Sequence, residues 1–164
     1  DTYEKTEPAT TVINKETITS PVEGTVAELS SAKDEAFSTG TLGRGVLIHP
    51  TNGEIVAPFD GTVMTLFPTK HAVGLVSDNG LELLIHIGVD TVQLDGKYFE
   101  SFVKQGDKVK QNDLLVRFDL AAIQAAGYSV ETPIIITNAT DYLDIVENEM
   151  GNKQVGDQVL TALI

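Results

Sequence analysis

The sequence predicts an all-β fold, a compact antiparallel β-sandwich or barrel-like domain with an internal duplication and one or two short helices. Three observations predict it. Short β-type runs recur throughout, each bounded by Gly, Pro, Asn or Asp: Gly24-Thr25-Val26, Gly45-Val46-Leu47-Ile48, Glu54-Ile55-Val56-Ala57, Gly61-Thr62-Val63, Leu81 to Ile87, Asp113 to Phe118 and Pro133 to Thr137. Many short strands at close spacing favour a sandwich. Pro21-Val22-Glu23-Gly24-Thr25-Val26 returns 37 positions later as Pro58-Phe59-Asp60-Gly61-Thr62-Val63, and the same offset carries Leu47-Ile48-His49 onto Leu84-Ile85-His86. Two copies are too few for a solenoid and point to two halves of one core. Helical signals, finally, are scarce. Asp119 to Ala126 has an Asp N-cap and Gly127 as a stop, and Lys97 to Val103 reads as a single turn or short helix.

In chain order, residues 1–16 are polar, Thr-rich and without periodicity, and read as a flexible linker or tail. Residues 17–147 hold the punctuated strands and form the expected domain. Residues 148–164 read as a C-terminal tail whose Val159, Leu160, Leu163 and Ile164 could dock on it. At 164 residues the chain suits one domain with a sizeable core. No apolar stretch is long enough to span a bilayer, so no direct membrane insertion is expected. The formal charge of −13 argues against a nucleic-acid partner, which needs a concentrated basic surface. The absence of cysteine excludes disulfides, thiolate metal sites and a Cys nucleophile, and is compatible with a cytoplasmic setting.

Chemistry concentrates between Thr69 and Asp90. If Asp78-Asn79 form a two-residue hairpin turn, His71 and His86 face each other on one side of an antiparallel pair, with β-carbons about 4.5–5.5 Å apart. On that register Ala72, Gly74, Val76, Leu81, Leu83, Ile85 and Ile87 form the core face. Val73, Leu75, Ser77, Glu82 and Leu84 then share the outer face with the histidines. A three-residue loop would instead send the two histidines to opposite faces. One histidine at the end of an apolar strand is ordinarily structural, but two adjacent imidazoles repel when protonated and so need a reason to coexist. The Thr69 hydroxyl and the Gly turn after His86 could each hold an Nδ1–H, leaving Nε2 free as nucleophile or ligand.

The runs Phe67-Pro68-Thr69-Lys70-His71-Ala72, Leu84-Ile85-His86-Ile87-Gly88-Val89-Asp90-Thr91-Val92 and Val103-Lys104-Gln105-Gly106-Asp107-Lys108-Val109 resemble the glucose-family enzyme IIA domain of the bacterial phosphoenolpyruvate:sugar phosphotransferase system. Within it, the likeness is to the C-terminal IIA domains of β-glucoside, sucrose or trehalose permeases. It covers about Thr17 to Tyr142. The resemblance implies a phosphocarrier with a phosphohistidine intermediate and no cofactor. His86 would accept a phosphoryl group from HPr and pass it to the cysteine of a IIB domain, which phosphorylates the sugar. His71 would steady the phosphoryl group, Thr69 orient His71, and the Gly88 carbonyl fix the His86 tautomer. Asp34 and Asp90 would face a basic partner. Phe37, Leu42, Val46, Phe67, Val73 and Leu84 would form an apolar docking rim. A polar start fits a linker from an upstream IIBC permease, which would tether the domain to the inner face of the membrane. His49, repeat-mate of His86, matches no catalytic position.

Other readings start from the same residues. A zinc hydrolase could use His71, His86 and Asp90 as ligands, although the short His-x-His and His-Glu-x-x-His spacings are absent. Adventitious zinc between His71 and His86 needs only those two. A biotinyl or lipoyl carrier would need a lysine at the hairpin tip, where Asp78-Asn79-Gly80 stands. A non-catalytic regulatory module would read the phosphorylation state through an interface.

Overall fold

The computed structural model describes residues 14–164; most of the expected linker, residues 1–13, lies outside the described residues. Fourteen strands run β1 Lys15–Thr19, β2 Gly24–Glu28, β3 Arg44–Pro50, β4 Glu54–Val56, β5 Gly61–Leu66, β6 Ala72–Ser77, β7 Glu82–His86, β8 Phe99–Ser101, β9 Lys108–Val109, β10 Leu114–Phe118, β11 Thr132–Ile136, β12 Asp144–Glu147, β13 Gly151–Lys153 and β14 Gln158–Leu163. Two short helices, α1 Glu35–Ser38 and α2 Leu120–Ala125, complete them. An eight-stranded sheet has the order β13-β2-β3-β11-β7-β6-β5-β9, and two three-stranded sheets have the orders β1-β14-β12 and β4-β10-β8. All pairings are antiparallel. The fold class is therefore the all-β one expected. The large sheet packs its inner face, with Ile48, Leu75, Leu83, Ile85 and Ile134 at or below 1% exposure, against Ile18, Ile55, Leu115 and Leu160 of the smaller sheets.

The repeat has a physical basis. Gly24 and Gly61 open β2 and β5 where the neighbouring strand passes so close that an added β-carbon would overlap the carbonyls of His49 and Val76 respectively. Only glycine fits there. The two copies also bond to each other reciprocally: the Thr19 N–H donates to the Pro58 carbonyl (3.3 Å) and the Val56 N–H to the Pro21 carbonyl (2.7 Å). Each of these partners sits 37 positions from its counterpart, so the contact has the form of a local two-fold axis.

Two expectations change. Lys97 to Val103 is no helix: Tyr98 takes a left-handed conformation (φ 76°) and Phe99–Ser101 pairs with β10, burying Phe99 against Phe118. Residues 148–164, read as a tail, provide β13 and β14, and β14 is the middle strand between β1 and β12. Val159, Leu160 and Ala162 are at or below 1% exposure. The other predicted helix stands, with the Asp119 carboxylate accepting from the Ala122 N–H and Gly127 at φ 93° ending it.

Truncating Leu160 to alanine is expected to lower stability by about 2–5 kcal/mol, as for a fully buried leucine. Ile164→Ala, at 56% exposure, should stay within about 0.5 kcal/mol of the parent. Urea midpoints of the two variants measure the difference.

Candidate functional site

The hairpin carrying the histidines does not have the expected register. Its loop is Asp78-Asn79-Gly80, three residues, and Ala72 rather than His71 pairs with His86. The faces of β6 are therefore exchanged: Val73 and Leu75 join Leu83 and Ile85 in the core, while Ala72, Gly74 and Val76 stand with Glu82, Leu84 and His86 on the outer side. The histidines nevertheless meet, with ring centroids 5.0 Å apart and planes at 85°. His71 escapes the strand's parity because it is the last residue of the β5–β6 loop. That loop is closed by the Phe67 N–H on the Ala72 carbonyl (3.1 Å) and turned by Lys70 at φ 62°. Loop geometry, rather than the pleat, aims its ring.

Both rings are anchored through Nδ1. His71 Nδ1 lies 2.6 Å from the Thr69 hydroxyl, and His86 Nδ1–H donates to the Gly88 carbonyl at 3.0 Å. A backbone carbonyl only accepts, so neutral His86 carries its proton on Nδ1 and a free lone pair on Nε2. The Gly88 turn is held from three sides. Its N–H donates to the Glu131 carbonyl (2.9 Å), the Val89 N–H donates to the Ser129 carbonyl (3.1 Å), and the buried Thr91 hydroxyl donates to the Ile87 carbonyl. Gly88 sits at φ 83°, where a β-carbon would run into the Thr91 methyl and the Ser129 carbonyl.

Aromatic rings enclose the pair. Phe37 lies 5.0 Å from His86, and Phe67 meets His71 edge-on at 5.5 Å. Phe37 is placed by a second small core of Leu29, Ala32, Leu47 and Ile135 on the outer face of the large sheet, against which Leu84 packs. Asp34 caps α1 by accepting from the Ala36 N–H (2.9 Å), and its carboxylate and that of Asp90 act on the His86 charge.

Burial dominates the electrostatics. It pushes His71 down to about 4, helped by repulsion from the His86 imidazolium. Burial also lowers His86, opposed by the Gly88 carbonyl and by the negative charges of Asp34 and Asp90. Both rings are thereby favoured in the neutral form near neutral pH.

The expected docking rim divides. Leu42 and Phe67 are 43% and 37% exposed, Leu84 is half-buried, and Phe37 is buried beneath the site. Val46 and Val73 are corrections: both are fully buried and belong to the core, Val73 because of the register shift and Val46 because it faces inward from β3. Met64 and Val92 are exposed apolar residues that the sequence did not single out. Met64 sits at an irregularity in the β5–β6 pairing, which no alternation pattern reveals. His49 is exposed on β3 opposite Thr25. Among the described residues no group of three or more His, Asp or Glu side chains is arranged to hold a metal, so Asp90 does not complete a three-ligand site with the histidines. Among the described residues, too, no helix is long and apolar enough to cross a membrane.

An antiparallel β-sandwich bearing two neutral imidazoles, each fixed through Nδ1, in an aromatic setting defines the class of domain. Residues 16–142 match the family model of the phosphoenolpyruvate-dependent sugar phosphotransferase system, EIIA 1, and the chain belongs to that family. It is 49% identical over 146 residues to a PTS system beta-glucoside-specific EIIBCA component of Halalkalibacterium halodurans, covering 89% of this chain and 23% of that relative. A component of the same description from Bacillus subtilis is 48% identical over 154 residues, covering 94% of this chain and 25% of the relative. The chain thus spans about a quarter of the length of these curated relatives. The solved glucose permease IIA from Mycoplasma capricolum superposes with a TM-score of 0.83 at 38% identity, covering 90% of this chain and 96% of the other. This chain is accordingly an EIIA domain, a phosphotransferase component.

The lowered His71 value sets a pH dependence. Its folded value lies below the ordinary 6.5, so between about 6.5 and 4 the unfolded chain binds more protons and stability falls with falling pH. The full effect is on the order of 3 kcal/mol. His71→Asn is expected to flatten this part of the profile, read from urea midpoints between pH 4 and 7. Thr91→Val, which strands the Ile87 carbonyl, should cost about 1–3 kcal/mol by the same measurement.

Proposed function

We propose that the domain is a phosphocarrier for sugar uptake, accepting a phosphoryl group from phospho-HPr on His86 Nε2 and passing it to the cysteine of a IIB domain. The observation that carries this reading is the Nδ1 tether of His86 to Gly88, which leaves Nε2 unprotonated beside a second oriented imidazole. In the first step the Nε2 lone pair forms the P–N bond as the bond between phosphorus and the donor breaks, its electron pair leaving with the donor. In the second a cysteine thiolate forms a P–S bond, and the P–N pair returns to Nε2.

His71 stabilises the transferred group. With the Thr69 hydroxyl donating to Nδ1, its Nε2–H is free to donate to a phosphoryl oxygen. Phosphoryl transfer depends on such positioning and charge stabilisation more than on covalent chemistry by the protein. Phe67 and Leu84 offer apolar contact beside the histidines and exposed Leu42 would extend the docking surface, with Asp34 and Asp90 supplying negative charge toward a basic partner. The relatives are named as beta-glucoside-specific EIIBCA components, so IIB and IIC domains are the natural fused neighbours. Such a fusion would hold the domain at the cytoplasmic face of the membrane and leave choice of sugar to the permease.

Incubation with phosphoenolpyruvate, enzyme I and HPr should add one acid-labile phosphoryl group by intact mass. His86→Ala should abolish the adduct; its persistence in that variant would overturn the assignment. His71→Ala should still accept the group and pass it to a IIB domain at least tenfold more slowly, measured by transfer from the purified phosphoprotein.

A further inference from the structure

Glu131 is a buried acid that the chemistry above does not use. It is 4% exposed, and among the described residues no cation pairs with it. A buried carboxylate without a counter-ion is costly, and an apolar side chain in its place would ordinarily be the more stable choice. What it does instead is hydrogen-bond. Its Oε2 accepts from the Lys33 backbone N–H at 2.7 Å, across 98 residues of sequence. Its own carbonyl accepts from the Gly88 N–H at 2.9 Å, and its N–H donates to the Ser129 hydroxyl at 3.3 Å.

These bonds reach both sides of His86. Lys33 lies between Ala32, a member of the small outer core, and Asp34, the cap of α1. Fixing the Lys33 amide therefore fixes the turn from which α1 sets the Phe37 ring 5.0 Å from His86. The Gly88 N–H belongs to the residue whose carbonyl holds His86 Nδ1. One residue thus joins the aromatic wall of the site to the turn that sets the tautomer. We propose that Glu131 is a positioning residue for phosphoryl transfer, its carboxylate tethering the Lys33 turn so that Phe37 and Asp34 keep their places beside His86. This rests on His86 being the phosphoryl acceptor.

The expectation is specific to the carboxylate's role as acceptor. Glu131→Gln keeps a carbonyl oxygen for the Lys33 N–H, whereas Glu131→Leu removes it while filling the space. Lys33→Pro removes the donor from the other side, at a position whose preceding residue Ala32 is already extended, as a residue before proline must be. In the full chain, E131L and K33P should each slow phosphoryl acceptance from phospho-HPr about tenfold. Each should also raise the His86 pKa toward the ordinary histidine value, followed by NMR titration of the ring without any donor. E131Q should stay within threefold of the parent in both measurements. The double variant E131L/K33P should be no worse than either single one, because both cut the same bond.

His86 titration and acceptance within twofold of the parent in folded E131L and K33P would overturn the tether. So would an E131Q variant as impaired as E131L, since charge rather than the hydrogen bond would then matter. If E131L does not fold, K33P alone decides between the same outcomes. The NMR titration needs no phosphoryl transfer, so failure of the tether is distinguishable from failure of His86 as acceptor, which the His86→Ala mass experiment reports.

Discussion

β11 is the strand against which the site is registered. It is hydrogen-bonded on both sides, to β3 and to β7, and all five of its residues are buried. A strand enclosed on both faces cannot slip without carrying apolar side chains into the wrong layer, so its register is strongly specified. From it, Ile134 faces the main core and Ile135 faces the smaller core beneath α1. The residues leading into it, Ser129 and Glu131, supply the carbonyls that hold the turn after His86. The position of the His86 imidazole is therefore a consequence of a ladder whose other functions are purely architectural.

Much of this was legible in the chain, for reasons that differ residue by residue. The glycines of the repeat mark close backbone approaches, which only one residue type permits, so the repeat was readable as structure. Asp119 and Gly127 bracket α2 because caps act locally. The proximity of the two histidines was foreseen on the wrong register. The loop has three residues, and His71 reaches His86 only because it belongs to a loop turned by Lys70. Alternation says nothing about a residue one position outside its strand. Phe99–Ser101 and β14 were missed because each is a strand by virtue of a distant partner, and neither carries a local mark of it. Glu131 was silent for the same reason: its partners are Lys33 and Gly88, far apart in sequence.

Electrostatically the site runs against the grain of the molecule. A net charge of −13 would ordinarily favour imidazolium over imidazole, and Asp34 and Asp90 pull His86 that way. Enclosure by Phe37 and Phe67 and burial of both rings prevail over that pull. Negative charge at Asp34 and Asp90 thus coexists with a neutral His86 imidazole whose Nε2 keeps its lone pair.

The reciprocal bonds between Thr19 and Pro58 and between Val56 and Pro21 deserve a different description from the one given by strand order. Such a contact is the kind two identical subunits make about a two-fold axis. Here both partners lie in one chain, and identity between them is no longer enforced. His86 sits within an aromatic enclosure, whereas His49 is exposed on β3, where it faces Thr25 as Val76 faces Thr62 in the other half. Covalent linkage has separated symmetry of the backbone framework from identity of the side chains, so that a histidine in one half can stand where the other half has a valine.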